Sequence, residues 1–135
     1  MKKTILGVFL IAVVLSLFVV PTAATESNIM PIWDNVSAVD LVVGFDGSTG
    51  YMTADVSRQA GVTSMEATVT VYRYSGDEWV YVDDWYKSTT RNTLVVTGEF
   101  NAVSGVQYKA EIVVTAYRDN TNGETVTHEI IRTCP

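Results

Sequence analysis

His128 is the only histidine of the 135-residue chain and Cys134 its only cysteine, so nucleophilic or His-assisted chemistry has to begin there. A catalytic dyad needs nucleophile and base within hydrogen-bond reach, with a third group orienting the base. His128 lies between Val126 and Ile130 in an alternating segment, the setting of a structural or surface strand residue. Cys134 stands one residue from the end, where the chain is expected to fray with its thiol unpaired; pairing with another chain is the alternative. No Gly-x-Ser-x-Gly elbow offers a serine in their place. The expectation is a non-enzyme with no catalytic residues.

The carboxylates are numerous but not clustered as metal or acid–base chemistry needs. Asp119-Asn120-Thr121-Asn122-Gly123-Glu124 has a superficial likeness to a calcium loop, yet only its first and last residues are charged. A hairpin turn accounts for it. Asp77-Glu78 and Asp83-Asp84 are acidic pairs that suit a solvated, aggregation-resistant strand edge. If the chain were an enzyme built from carboxylates alone, a glycan hydrolase, Asp83 and Asp84 would be the pair to test. No phosphate-cradling glycine loop or dinucleotide fingerprint occurs, so no cofactor and no metal is expected. Asn35-Val36-Ser37 is formally a glycosylation sequon, meaningful only in a eukaryotic secretory route.

Binding chemistry is better represented. Tyr72, Tyr74, Trp79 and Tyr81, with Tyr86 as a further candidate, are spaced to gather on one sheet face. Exposed aromatic clusters mark binding surfaces. The plainer account is that cross-strand aromatic pairs stabilise a sheet by about 0.2–1 kcal/mol each and need no ligand. The four residues Tyr72, Tyr74, Trp79 and Tyr81 are therefore candidate ligand-binding residues, with a sugar ring or an apolar patch on a partner protein as the fitting contacts.

What positions them is a hairpin running from Gly61 to Ser88. Met65, Ala67, Val69 and Val71 point one way; Glu66, Thr68, Thr70, Tyr72 and Tyr74 point the other, because strand side chains alternate. Gly76-Asp77 supplies the turn, with two or four loop residues. Either length opposes Tyr74 to Trp79, Tyr72 to Tyr81 and Val71 to Val82, which puts valines on one face and aromatics on the other.

The chain around the hairpin is β almost throughout. Val39, Leu41, Val43 and Phe45 alternate before the turn Asp46–Gly50; Met52, Ala54 and Val56 follow; Leu94 and Val96 face inward in a strand from Thr93 to Phe100. Val106 to Ala116 is the cleanest period-two segment, then a loop over Asp119–Gly123 precedes a closing strand from Glu124 to Arg132. About seven strands at short spacing, without a helical segment after the leader, predict a single all-β, immunoglobulin-like antiparallel sandwich. Its expected core holds Leu41, Val43, Val56, Val69, Val71, Val82, Tyr108, Ala110, Ile112 and Val114.

Two resemblances bear on this. Gly105-x-x-Tyr108-x-Ala110-x-Ile112-x-Val114-x-Ala116 resembles the penultimate strand of immunoglobulin-like and fibronectin type III domains, where the tyrosine hydrogen-bonds back to an upstream backbone group. That implies a fold class and no function. Pro31-x-Trp33-Asp34-Asn35, then Tyr72-x-Tyr74-Ser75-Gly76-x-x-Trp79-x-x-Val82-x-x-Trp85, then the Tyr108 strand, looks like a group of small exported proteins of Gram-positive, clostridia-like bacteria. This second resemblance implies origin, export and a sandwich fold, and it lends no activity. Its Trp-x-x-Val-x-x-Trp spacing also suggests a bulge at Asp83-Asp84 that would return Trp85 to the core.

The N-terminus carries the export signal. Met1-Lys2-Lys3, the apolar run Ile5 to Val20 and the small residues before and at Ala24 form a secretory leader over residues 1–24, cut after Ala24. The alternative is an uncleaved anchor formed by residues 5–20, which falls short of the roughly 20 residues that span a bilayer comfortably. A polar lead-in, residues 25–35, precedes the sandwich domain, residues 36–135, with Trp33 tucking onto its edge. Loss of Lys2 and Lys3 moves the net charge from −6 to −8. That excludes nucleic acid as a partner, and membrane contact except through an uncleaved leader. A lone cysteine leaves the core without internal disulfides. The expected product is a secreted, non-catalytic binding or interaction module for an unknown extracellular protein or glycan. The alternative is a structural protein with weak self-association.

Overall fold

Alternation sets the architecture, because each strand with one apolar face needs a second sheet to cover it. The computed structural model describes residues 33–119 and 121–135. The predicted leader, most of the lead-in and Asn120 lie outside the described residues. Seven strands form: β1 (Val36–Asp46), β2 (Thr49–Arg58), β3 (Ser64–Ser75), β4 (Glu78–Thr89), β5 (Thr93–Asn101), β6 (Gln107–Arg118) and β7 (Thr121–Thr133). They build two antiparallel sheets, β1-β2-β5 and β4-β3-β6-β7. This is the expected immunoglobulin-like sandwich. Its fourth strand sits beside β3, whereas constant-type immunoglobulin domains place theirs on the other sheet.

The inward face of every strand supplies the core. Met65, Ala67, Val69 and Val71 from β3 meet Tyr108, Ala110, Ile112, Val114 and Ala116 from β6. Met52, Ala54 and Val56 from β2, Leu94, Val96 and Phe100 from β5, and Leu41 and Val43 from β1 face them from the other sheet. Of the expected core residues only Val82 is not fully buried; it packs half-buried against the cluster, as does Trp33.

One end of the core is aromatic. Tyr108 lies 5.7 Å from Phe45 and 5.2 Å from Phe100, ring centre to ring centre. The Val103 N–H donates to its hydroxyl at 2.8 Å. This is the tyrosine contact that the Gly105-x-x-Tyr108 spacing predicts, and it holds the β5–β6 connection against the strand that follows.

Three local expectations are corrected. Tyr72 opposes Tyr81 as predicted, but Val71 opposes Asp83, so Val82 is the extra residue of a bulge. The bulge thus lies one residue before Asp83-Asp84. It still returns Trp85 to the inner side, opposite Val69, where its indole covers Gly98 of β5. Secondly, β7 begins at Thr121, paired with Arg118, so the strand takes in most of the expected five-residue loop. Gly123 then falls inside the strand, where an added Cβ would come 2.7 Å from the Tyr117 ring. Thirdly, Cys134 does not fray. It is 1% exposed, its N–H donates to Val106 O at 2.9 Å, and its carbonyl accepts from Gly105 N at 2.8 Å.

The segment before β1 is also fixed. The Asp34 and Asn35 N–H groups donate to the Glu124 carboxylate at 2.8 and 3.0 Å. The Arg118 guanidinium donates to Asn35 Oδ1, Asp34 O and Ala60 O at 2.7, 2.9 and 2.8 Å. Burial alone pushes the Glu124 carboxyl up; the backbone donors of Asn35, Asp34 and Val36 and the Arg118 charge outweigh it, and the group lies below its ordinary value.

Candidate functional site

The predicted aromatic residues come together on the outer face of the four-stranded sheet, at the tip of the β3–β4 hairpin. Gly76 and Asp77 form its two-residue turn with φ of 59° and 63°, the primed geometry that matches strand twist. From that tip the ladder opposes Tyr74 to Trp79 and Tyr72 to Tyr81. The Tyr74 and Trp79 rings lie 5.1 Å apart at 57°. Tyr81 is 57% exposed and Tyr74 41%, while Tyr72 and Trp79 are half-buried.

The cover over those two comes from the neighbouring strand. Lys109 of β6 opposes Tyr72, and its ammonium stands 4.9 Å from the centres of both the Tyr72 and Trp79 rings. A cation held by two ring faces is favourable by roughly 0.5–1 kcal/mol at an exposed site. It also leaves Tyr81 and the free edge of Tyr74 as the accessible parts of the platform. The Tyr81 hydroxyl donates to Asp84 Oδ1. That hydrogen bond, with slight desolvation and the charges of Asp84 and Asp83, pushes the phenol up to about 12.

Tyr86 does not join the cluster. It opposes Thr68, with the Thr70–Asp84 row between it and Tyr72, roughly 13 Å along the strand. Its hydroxyl donates to Glu66 at 3.1 Å, and Tyr117 donates to the same carboxylate at 2.9 Å.

The residues weighed for catalysis remain apart. His128 is exposed on β7, and Asp83 and Asp84 are on β4, the opposite edge of the same sheet; three strand spacings separate them by about 14 Å. Asp83 is engaged locally, accepting from the Asp84 N–H at 2.8 Å. Glu124, the last residue of the calcium-like segment, is occupied by the backbone of Asp34 and Asn35. Among the described residues no group of three His, Cys, Asp or Glu side chains could hold a metal. The Asn35 sequon is closed in the folded chain: the residue is 5% exposed, and its amide donates to Ala116 O at 3.0 Å.

One concave feature has no counterpart among the sequence expectations. An open groove of about 420 Å³ lies at the other end of the same outer face, lined by Ser64, Glu66, Ser88, Thr90, Arg91 and Tyr117 among others. Its residues come from three strands and a turn. The available signal was Glu66, a charged residue on the outer face of an otherwise Thr- and Tyr-rich strand.

No family model matches the chain, and no curated protein does. Solved structures match the chain only at low identity and with TM-scores below 0.5. A β-glucuronidase of Parabacteroides merdae is 16% identical with a TM-score of 0.47, over 73% of this chain and 13% of that one. A protein of Arabidopsis thaliana solved in solution is 8% identical with a TM-score of 0.43, over 76% of this chain and 82% of its own. A β-glucosidase 3B of Thermotoga neapolitana, in complex with α-D-glucose, is 18% identical with a TM-score of 0.39, over 70% and 16%. The chain thus spans about an eighth of the glucuronidase and a sixth of the glucosidase.

Proposed function

We propose that the protein is an exported, non-catalytic binding module of bacterial origin whose contact surface is the hairpin's aromatic face, Tyr72, Tyr74, Trp79 and Tyr81. The observation that carries this reading is the convergence of the four rings on one outer face, with Tyr81 and Tyr74 presented to solvent. A flat aromatic platform suits a sugar ring or an apolar patch on an extracellular partner protein. The net negative charge of the chain disfavours anionic ligands, most strongly at low salt. In this reading residues 1–24 direct export and are removed.

Self-association is the second reading, and Lys109 is what favours it: with Tyr72 and Trp79 already covered, the remaining exposed rings form a small apolar area that a second copy could cover. Sedimentation separates the two. A dimer that forms with concentration and disappears in Tyr81→Ala indicates self-association. A monomer whose tryptophan fluorescence shifts on adding an oligosaccharide or a partner indicates the binding module, and a monomer with neither response sinks both.

A further inference from the structure

We propose that the groove beside Glu66 is a second binding site, one that takes a ring of a neutral saccharide. It lies on the same outer face as the hairpin aromatics but at the opposite end of β3, so it goes beyond the surface described above. Ser64, Glu66, Ser88, Thr89, Thr90, Arg91 and Tyr117 border its volume of about 420 Å³.

The chemistry of that lining narrows the ligand. Glu66 offers a carboxylate acceptor held in one orientation by two phenol donors, Tyr86 at 3.1 Å and Tyr117 at 2.9 Å. Two lone-pair sites on each carboxylate oxygen leave capacity for further donors. The Tyr117 phenol is raised by its hydrogen bond to Glu66, then by slight desolvation, so it remains a neutral donor across the physiological range. Arg91 brings guanidinium donors, and four hydroxyl side chains add groups able to donate or accept. An anion entering here meets Glu66, and a cation meets Arg91. A polyol satisfies both, because each hydroxyl can donate to the carboxylate and accept from the guanidinium. The Tyr117 ring, which lines the groove, offers an aromatic surface for the apolar side of a sugar.

The groove is also pre-formed. Its outer wall is the β4–β5 turn, which Asn92 ties down by accepting from Arg58 Nε and Nη2 at 3.1 and 2.8 Å and, through its carbonyl, from Arg58 N at 3.2 Å. The Arg91 N–H donates to Thr89 Oγ1 at 3.0 Å, so the backbone presenting the guanidinium is set before a ligand arrives. Setting it beforehand lowers the ordering cost of binding.

The test is a titration of the isotope-labelled protein with cellotetraose, maltotetraose and chitotetraose at millimolar concentrations, followed by amide chemical shifts. At least one sugar is expected to give saturable shifts at Glu66, Ser88, Arg91 and Tyr117. Arg91→Ala, on an exposed turn, is expected to weaken that sugar about tenfold, or about 1.4 kcal/mol. Glu66→Gln is expected to weaken it similarly, and Trp79→Ala to leave it unchanged. Absence of shifts with all three sugars overturns the proposal, as does wild-type affinity in both groove variants. Shifts confined to Tyr72, Trp79 and Tyr81 also overturn it, and place the ligand on the hairpin face instead.

Discussion

The indole of Trp85 lies so close over Gly98 that a Cβ built on the glycine would come within 2.2 Å of the ring. The two residues belong to different sheets, Trp85 to β4 and Gly98 to β5, so their contact closes one side of the sandwich.

Gly98→Ala is therefore expected to destabilise the domain by about 1–3 kcal/mol through overpacking. In a Trp85→Ala background the added methyl has room, so the double variant should be more stable than the sum of the single losses predicts. Urea denaturation of the four proteins measures the coupling. Simple additivity would show that the indole is not what limits Gly98.

Tyr108→Phe keeps the ring among Phe45 and Phe100 but leaves the Val103 N–H without its acceptor. The expected loss is about 1–2 kcal/mol, as a lower urea midpoint with an unchanged slope. An unchanged midpoint would mean that water replaces the phenol at no cost.

The Glu124 carboxyl, held below its ordinary value of 4.5, contributes stability that is fully present above that value and is lost as pH falls through the lower folded value. Stability measured from pH 6 down to about pH 3 should drop less steeply in Glu124→Gln than in the unaltered protein. Parallel curves would remove Glu124 from the acid response.

Asp84→Asn should bring the Tyr81 phenol from about 12 back toward 10, because its charged acceptor is lost. Ultraviolet absorbance on alkaline titration reads this directly. The raised value also implies that the Tyr81–Asp84 contact supports the fold below pH 10 and ceases to as pH rises through 12.

Cys134 should be nearly inert in the native state. An aromatic disulfide reagent is expected to label it at least about tenfold more slowly than in denaturant, since the thiol is buried. Equal rates would restore a frayed C-terminus.

Much of this fold was legible because its signals are local. Met65, Ala67, Val69 and Val71 alternate without interruption, and Gly105-x-x-Tyr108 states its own hydrogen bond within five residues. The bulge was harder to place. Its position at Val82 rather than Asp83 shows only in the pairing of Val71 with Asp83, since a bulge at either place returns Trp85 to the inner side. The Asp119–Gly123 segment misled for a related reason: Asn122-Gly123 is a favoured turn dipeptide, yet Gly123 is needed within β7 beneath the Tyr117 ring. Cys134 looked like a loose end because its partners, Val106 and Gly105, are remote in sequence. The candidate site divides the same way. The four hairpin aromatics are neighbours in one supersecondary unit, whereas Lys109 over them, and the Tyr86–Glu66–Tyr117 group below, depend on how β6 pairs with β3.

The anchoring of the segments that lead into β1 and out of β7 has a mechanical consequence. Asn35 is fixed beside Glu124, where β7 begins, and Cys134 lies beside Gly47, just past the end of β1. The chain thus enters the sandwich at one pole and leaves it at the other, with β1 and β7 pointing the same way between them. Tension applied through those two segments runs lengthwise along both strands. The β1–β2 and β6–β7 ladders are then loaded in shear, with their hydrogen bonds sharing the force, instead of being peeled apart one after another.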